Sequence, residues 1–439
     1  MDANEGLKRE IGLWGLTSNI VNIVIGSGIF VLPAIVSERL GAAGILAYLF
    51  CGFLITVIML CFAEVGSKIT VTGGAYAYIE EAFGGYFGFL TTTIFVFGSS
   101  LMAAAAVASA LSHTIAFLYP PFSNPWIRAV FLVLIFATLA AVNVTGVKRG
   151  IAVVKITTVI KLAPLLLLIV WGATKVSAKN LVWHSLPTLD DLGKISLILF
   201  FAFQGAENSL SISGEVKKPN RNVPFGIFLG FTIILLIYIA IQLVAQGILG
   251  DSFSDFKDAP LAEVANRLIG PLGITLMTTV AAISMLGYLS SDSLSMPRVL
   301  FRSAKDRVIP IKPLANVHPK YSTPYVSIIL YASLCCFFAI TGEFRQLAIY
   351  ASSFALLIYL GVALAVIKLR MKEDRYPSTF RIPGGIAVPV ISIVTIVWFL
   401  SHLTLKEFTG LSLFIAIISS AFFVINYFKN KNSVDEKSA

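Results

Sequence analysis

The chain has 439 residues, of which 57% are hydrophobic and 13% charged, far more apolar side chain than one globular core buries. Apolar runs of about 18 or more residues recur along it, each long enough to cross a hydrocarbon layer of roughly 30 Å. A soluble multidomain protein is excluded, and the class that remains is a polytopic membrane protein. Lys and Arg number 33 against 23 Asp and Glu, a net charge of +10, which membrane topology explains without any nucleic-acid partner.

Taken in chain order, the apolar runs predict twelve spans near 13–36, 43–66, 86–118, 127–146, 151–173, 195–214, 225–249, 271–297, 324–341, 346–369, 386–405 and 408–428. Helices are the expected form, because an isolated spanning strand leaves backbone groups unpaired in lipid, and the runs are too long and too continuously apolar for barrel strands. With the N-terminus inside, about 23 Lys and Arg fall on the cytoplasmic side and about 9 outside. The inside set includes Lys8, Arg9, Lys148, Arg149, Lys217, Lys218, Arg221, Arg302, Lys305, Arg307, Lys368, Arg370 and Lys372. An even number of spans then puts both termini, 1–12 and 429–439, in the cytoplasm. The polar opening MDANEGLKRE does not have the form of a removable signal peptide.

Two spans are interrupted at mid-depth. In the first, NIVNIVIGSGIFVLPAIV, the small residues Gly26, Ser27 and Gly28 weaken the helix; in the sixth, LILFFAFQGAENSLSISGEV, the residues Gln204, Gly205, Ala206, Glu207 and Asn208 place polar groups at the same depth. A single glycine in a membrane helix ordinarily serves close packing. Two interruptions five spans apart instead suggest two halves of inverted topology, 13–173 and 195–369, with 386–428 added outside the repeat. A broken helix exposes N–H groups at the start of its second half and carbonyls at the end of its first. The N–H groups of Ser27, Gly28 and Ile29 are thereby expected to receive a carboxylate, and the carbonyls near Val24, Phe201 and Gln204 an ammonium group.

Four longer stretches extend the pattern: GSGIF from Gly26, AEVGSKITVTGGAYAYIEEAFG from Ala63, FAFQGAENSLSISGEVKKPNRNVP from Phe201 and PRVLFRSAKDRVIP from Pro297. In these stretches the chain resembles the amino acid–polyamine–organocation (APC) superfamily of transporters, most clearly in the spacing of Glu215, Pro219, Arg221, Asn222 and Pro224. The resemblance implies an all-α polytopic membrane protein of twelve transmembrane helices. These would form a five-plus-five inverted repeat (LeuT-like), with helices 1 and 6 broken and two further C-terminal helices. It implies transport of amino acids or their amines by alternating access, with substrate carboxylate on the Ser27 and Gly28 amides and Phe201 or Phe203 gating the outer path.

Charges in the membrane are costly and mark pathways or paired sites. Lys161 lies about ten residues into the fifth span. One reading has it snorkelling to the surface; by the resemblance it supplies the charge that sodium supplies in coupled relatives, so transport is expected to be sodium-independent. Glu207, with Asn208 beside it, either contacts substrate or a proton, or caps the broken helix. Asp292 either pairs with Lys161, the favoured reading because an unpaired Lys161 is costly, or attracts a cationic substrate end. Glu64 is expected to organise the turn after the second span. Specificity is expected from the third span, where Gly98, Ser99 and Ala103 leave room for a substrate side chain. By the resemblance, antiporters that hold a guanidinium use asparagine near Ala103, which weighs against arginine.

The expected protein is thus a secondary active transporter of amino acids in the cytoplasmic membrane, an exchanger or proton-coupled symporter. An amine, polyamine or cationic amino acid antiporter is the alternative. No catalytic residue, cofactor or metal is expected: His113, His184, His318 and His402 are scattered without metal-ligand spacing, and no Walker pattern occurs. Cys51, Cys61, Cys335 and Cys336 all lie in spans, which leaves no loop cysteine for a disulfide to a partner subunit, so no obligatory partner is expected.

Overall fold

The computed structural model describes residues 11–69, 74–145, 151–183, 185–207, 216–306, 308–309, 311–371 and 380–438, with the backbone alone for 151–160, 219–220 and 425–438. The first half comprises α1 (Leu13–Val24), α2 (Gly28–Leu40), α3 (Ile45–Lys68), α4 (Ala75–Phe83), α5 (Gly85–Leu118), α6 (Pro125–Thr145) and α7 (Ile151–Ala173). There follow α8 (Leu189–Leu199), α9 (Pro219–Leu249), α10 (Pro260–Ile269), α11 (Pro271–Lys305), α12 (Tyr325–Thr341), α13 (Phe344–Arg370), α14 (Ala387–Leu400) and α15 (Leu405–Ser438). Among the described residues the only strand-like pairing is a single parallel bridge between Ile11 and Val216. Among the described residues seven helical stretches are long and apolar enough to cross a membrane, and Leu13–Val24, Lys161–Ala173, Tyr325–Thr341 and Ala387–Leu400 form shorter apolar helices. The chain is an all-helical, multi-pass membrane protein.

The interruption of the first predicted span lies where the glycines put it, between Val24 and Gly28. Two boundaries differ from the hydropathy reading. α8 begins at Leu189, not 195, because Thr188 caps the polar turn LDDLGK: its hydroxyl accepts from the Asp191 amide at 3.1 Å. α11 runs on to Lys305 through the basic segment PRVLFRSAK. Two helices were not expected at all. α4 and α10 have nine and ten residues, too short and too polar for a span, yet amphipathic enough to bury Tyr78 and Ile79 in one and Leu261 and Val264 in the other.

Polar contacts define two ends of the bundle. At one, the ends of α3, α4 and α13 meet: Lys368 lies 4.6 Å from the Phe83 ring centroid, and Arg370 reaches Glu64. At the other, Arg39 in the last turn of α2 bonds Asp191 of α8, and Lys257 bonds Glu38. Glu64 is fully buried. Its carboxylate accepts from Arg370 Nε at 2.7 Å and Nη2 at 2.5 Å, from the Ile382 amide at 3.0 Å and from Lys68 at 3.2 Å. A carboxylate satisfied four times over ties α3, α13 and the approach to α14 together. Removing Arg370 strips two charge-assisted hydrogen bonds from the buried carboxylate and leaves Lys68 as its remaining ion-pair partner. Arg370→Ala should therefore cost about 3–5 kcal/mol, read as a lowered unfolding midpoint in detergent; an unchanged midpoint would contradict this.

Candidate functional site

The two helix breaks face one another, and glycines set how closely. A Cβ on Gly28, the first residue of α2, would lie 2.7 Å from Ala202 Cβ and 2.8 Å from Ala202 Cα. Gly205 has φ +107°, a conformation that L side chains rarely adopt, and a Cβ there would lie 2.8 Å from Ile23 Cγ2. Each break thus presses a glycine against the other. Between α8 and the second break runs a 3₁₀ turn, Phe200–Phe203. The Tyr238 hydroxyl of α9 lies 2.8 Å from the Ala202 carbonyl and 3.2 Å from that of Val24, so one donor bridges both breaks.

Around this junction lies a chamber of about 50 Å³, lined from the first break by Val24, Gly26, Ser27 and Gly28. Phe201, Gln204, Gly205 and Glu207 line it from the second, and Ser99, Ser100 and Ala103 from α5. The chamber shares Gly26, Ser99, Glu207 and Tyr288 with a cavity of about 1050 Å³ that extends to Tyr76, Arg298, Arg302 and Asp306. The large cavity therefore opens at the end of the bundle where α3, α4 and α13 meet. On the opposite side Phe201 is 9% exposed and packs edge-on against Phe344 of α13, with ring centroids 5.9 Å apart.

Three residues expected to bind substrate lie outside the chamber. Phe203 is fully buried against Tyr238, and Ile29 is buried in the core. A Cβ on Gly98 would lie 2.6 Å from the Phe354 ring, so this glycine serves the packing of α5 on α13. Residues Ile94–Ser100 form a π-helical stretch inside α5, a local widening that brings Ser99 and Ser100, consecutive in sequence, to the same chamber. Asn208 and Glu215 lie outside the described residues.

The charged groups differ most from expectation. Lys161 Nζ donates to the Asn22 carbonyl in the last turns of α1. Asp292 accepts from Ser100 Oγ at 2.5 Å and from Tyr331 Oη at 2.7 Å. The expected Lys161–Asp292 pair is therefore corrected: among the described residues no ion pair joins them, because Asp292 lies against α5 and α12 while Lys161 reaches α1. Glu207 Oε2 accepts from the Gly205 amide at 3.0 Å and from Tyr359 Oη at 2.6 Å. Gln204 Nε2 donates to Ser352 Oγ at 2.9 Å, so α13 holds the second break at two points. Among the described residues no group of three or more His, Cys, Asp or Glu is arranged to hold a metal ion.

Sequence reasoning missed the hydroxyls of Ser100, Tyr238, Tyr331 and Tyr359, because a phenol inside an apolar run does not interrupt it. Tyr238→Phe removes the bridge and takes the phenol donor from the Ala202 carbonyl, at about 1–3 kcal/mol, while the Val24 carbonyl keeps the Gly26 amide. Reduced transport with the helical content retained is the expected outcome; full activity would show the bridge to be dispensable.

The break between Val24 and Gly28 thus meets the irregular segment Phe200–Gly205 beside a small chamber that is continuous with a large cavity, an arrangement that suits passage of a small molecule. The amino acid permease family matches residues 11–433. This chain belongs to that family, whose members are transporters and not enzymes. It is 27% identical over 400 residues to the serine/threonine exchanger SteT of Bacillus subtilis, covering 89% of this chain and 90% of that one. It is also 27% identical over 405 residues to the human large neutral amino acids transporter small subunit 2, covering 88% and 74%. With the methylthioribose transporter of Bacillus subtilis it shares 26% identity over 439 residues, covering 96% and 94%.

Proposed function

We propose that the protein carries small neutral amino acids across the cytoplasmic membrane by sodium-independent alternating access, as an exchanger or proton-coupled symporter. The observation that carries this reading is the pair of interlocked breaks around one chamber. A zwitterion fits them: its carboxylate meets the first N–H groups of α2, where the helix dipole favours an anion, and its ammonium meets backbone carbonyls beside Phe201 and Gln204. The Val24 carbonyl already accepts from the Gly26 amide at 2.7 Å and faces Tyr238, so the second break supplies the larger share of the ammonium's partners.

The chamber's small volume and the likeness to a serine/threonine exchanger favour small side chains over large ones. On this reading the described helices form twelve spans in a five-plus-five inverted repeat, and the end bearing Arg298, Arg302 and Arg370 is cytoplasmic under the positive-inside bias. Both termini are then cytoplasmic, and the large cavity opens inward. Phe201 against Phe344 closes the outer path. The Lys161 ammonium on the Asn22 carbonyl supplies a fixed positive charge beside α1, which is the basis for sodium-independence. Glu207 caps the second break and docks it on α13. No partner subunit is required, although the human relative's name marks it as one subunit of a larger assembly.

An amine, polyamine or cationic amino acid antiporter is the second reading, favoured by two carboxylates, Glu207 and Asp292, on the cavity wall. Thermal stabilisation of the purified protein by a ligand panel separates the two, since a ligand that binds only the native state raises the unfolding midpoint. L-Serine, L-threonine and L-alanine should stabilise it, and putrescine and L-arginine should not. Stabilisation by putrescine alone would replace the first reading with the second.

A further inference from the structure

Asp292 is a buried carboxylate, 9% exposed, on the wall of the large cavity. Its partners are two neutral hydroxyls, Ser100 on α5 and Tyr331 on α12, and among the described residues no cation lies within ion-pair distance. The cations nearest along the cavity are engaged elsewhere: Lys161 with the Asn22 carbonyl, Arg298 with its own Leu294 carbonyl and Arg302 with Asp306. A lone carboxylate in a membrane protein needs a neutralising partner for at least part of the working cycle.

The geometry selects which partner. A metal ion needs several oxygens turning lone pairs toward it, whereas both hydroxyls here donate to the carboxylate. A substrate ammonium would have to displace one of those donors through the small exposed edge. A proton needs neither a coordination shell nor room. Ser100 also lines the amino acid chamber, so it touches both Asp292 and the space where substrate binds.

We propose that Asp292 is the proton-binding group of this transporter and that Ser100 relays its state to the chamber; this rests on the amino acid transport reading above. With Asp292 ionised, the Ser100 hydroxyl donates to Oδ1. When a proton from cavity water adds to Oδ1, the new O–H donates to Ser100 Oγ, and the serine hydrogen turns to an acceptor on the substrate. Tyr331 donates to Oδ2 throughout. Loading the proton therefore adds one hydrogen-bond donor to the chamber, and substrate binds more tightly at lower pH.

The other titratable groups near Asp292 are Tyr288 on its own helix and Tyr331 and Cys335 on α12. Glu207 at the second break and Tyr359 of α13 line the same cavity but bond each other. Charged groups at the far ends of helices packed on α11 are likewise engaged, Arg128 of α6 with His113 of α5, and Glu263 with Arg267 within α10.

The test uses the full chain in liposomes holding a pH-sensitive dye, with labelled L-serine, L-leucine and L-lysine as probes. Wild type should move protons with amino acid, and its KM should rise by up to about tenfold per pH unit as one site deprotonates. Asp292→Asn places an amide donor against Ser100, as the protonated acid does; it should still exchange amino acid, with no proton movement and a KM that is flat with pH. Ser100→Ala keeps the carboxylate but breaks the relay, so the pH slope of KM should also be lost. Wild-type transport without proton movement, or an Asp292→Asn variant with the wild-type slope, would overturn the proposal and leave amino acid transport standing. Failure of wild type to take up any probe would overturn both.

Discussion

Replacing Lys161 by alanine should remove most transport, equally in sodium-free and sodium-containing buffer. Lys161 is 7% exposed, and its ammonium donates to the Asn22 carbonyl in the final turns of α1. This carbonyl lies one turn before the first break, so the lysine anchors the end of a helix that the glycines have already weakened. Losing a charge-assisted hydrogen bond costs about 1.5–3 kcal/mol, which corresponds to roughly 10- to 150-fold in the population of the competent site. The check is initial uptake rate in liposomes with sodium or with choline outside. Transport by Lys161→Ala that sodium restores would mean that a cation can substitute for the ammonium. Transport by wild type that requires sodium would remove the basis for sodium-independence altogether.

Gly205→Ala should be still more damaging. It combines a backbone at φ +107° with a Cβ 2.8 Å from Ile23 Cγ2. Strain at such a φ costs about 1–3 kcal/mol, and forcing a methyl into a packed contact costs about 1–3 kcal/mol more. The breaks would have to separate, which opens the chamber they enclose. Loss of amino acid stabilisation in the thermal assay is the expected result, with membrane insertion unaffected. Ile23→Ala in the same chain removes the steric part alone and should restore binding only in part. A Gly205→Ala protein with wild-type binding would show that the close approach of the breaks does not matter.

The sequence made some of this site legible and hid the rest for identifiable reasons. Gly26, Ser27 and Gly28 could be read as a break because small residues inside an apolar run have a direct effect on helix continuity. Gln204 and Gly205 marked the second break in the same way, and Lys161 was visible as a charge at depth. Direction around a helix axis was not legible. Hydropathy placed Asp292 and Lys161 at similar depths, yet one points to α5 and α12 and the other to α1. The same limit applied to Phe201 and Phe203, two residues apart, of which one lines the chamber and the other packs on Tyr238. Short amphipathic helices such as α10 escaped because their burial depends on tertiary partners that local composition does not name.

Glu207 shows how a chemical label from sequence can give way to a geometric one. An acid beside a break suggests proton chemistry, but its Oε2 holds the Gly205 amide and Tyr359. A carboxylate that accepts from the backbone of its own break acts as a cap. Asp292, first read as a structural partner for Lys161, is the carboxylate left facing only hydroxyls. Of the two readings the sequence left open for Glu207, contact with substrate or proton and a cap, its hydrogen bonds favour the cap, while the proton role of Asp292 is our proposal.

The proposed function requires one chamber, formed by the paired breaks, that binds an amino acid and opens to each side in turn. The most direct test is counterflow in sodium-free buffer: liposomes containing purified protein, loaded with unlabelled L-serine or left empty, are given labelled L-serine outside. The expected result is a transient accumulation of label in the loaded vesicles that is abolished by Gly205→Ala. Equal label in loaded and empty vesicles containing wild-type protein, at the level of protein-free vesicles, would contradict it.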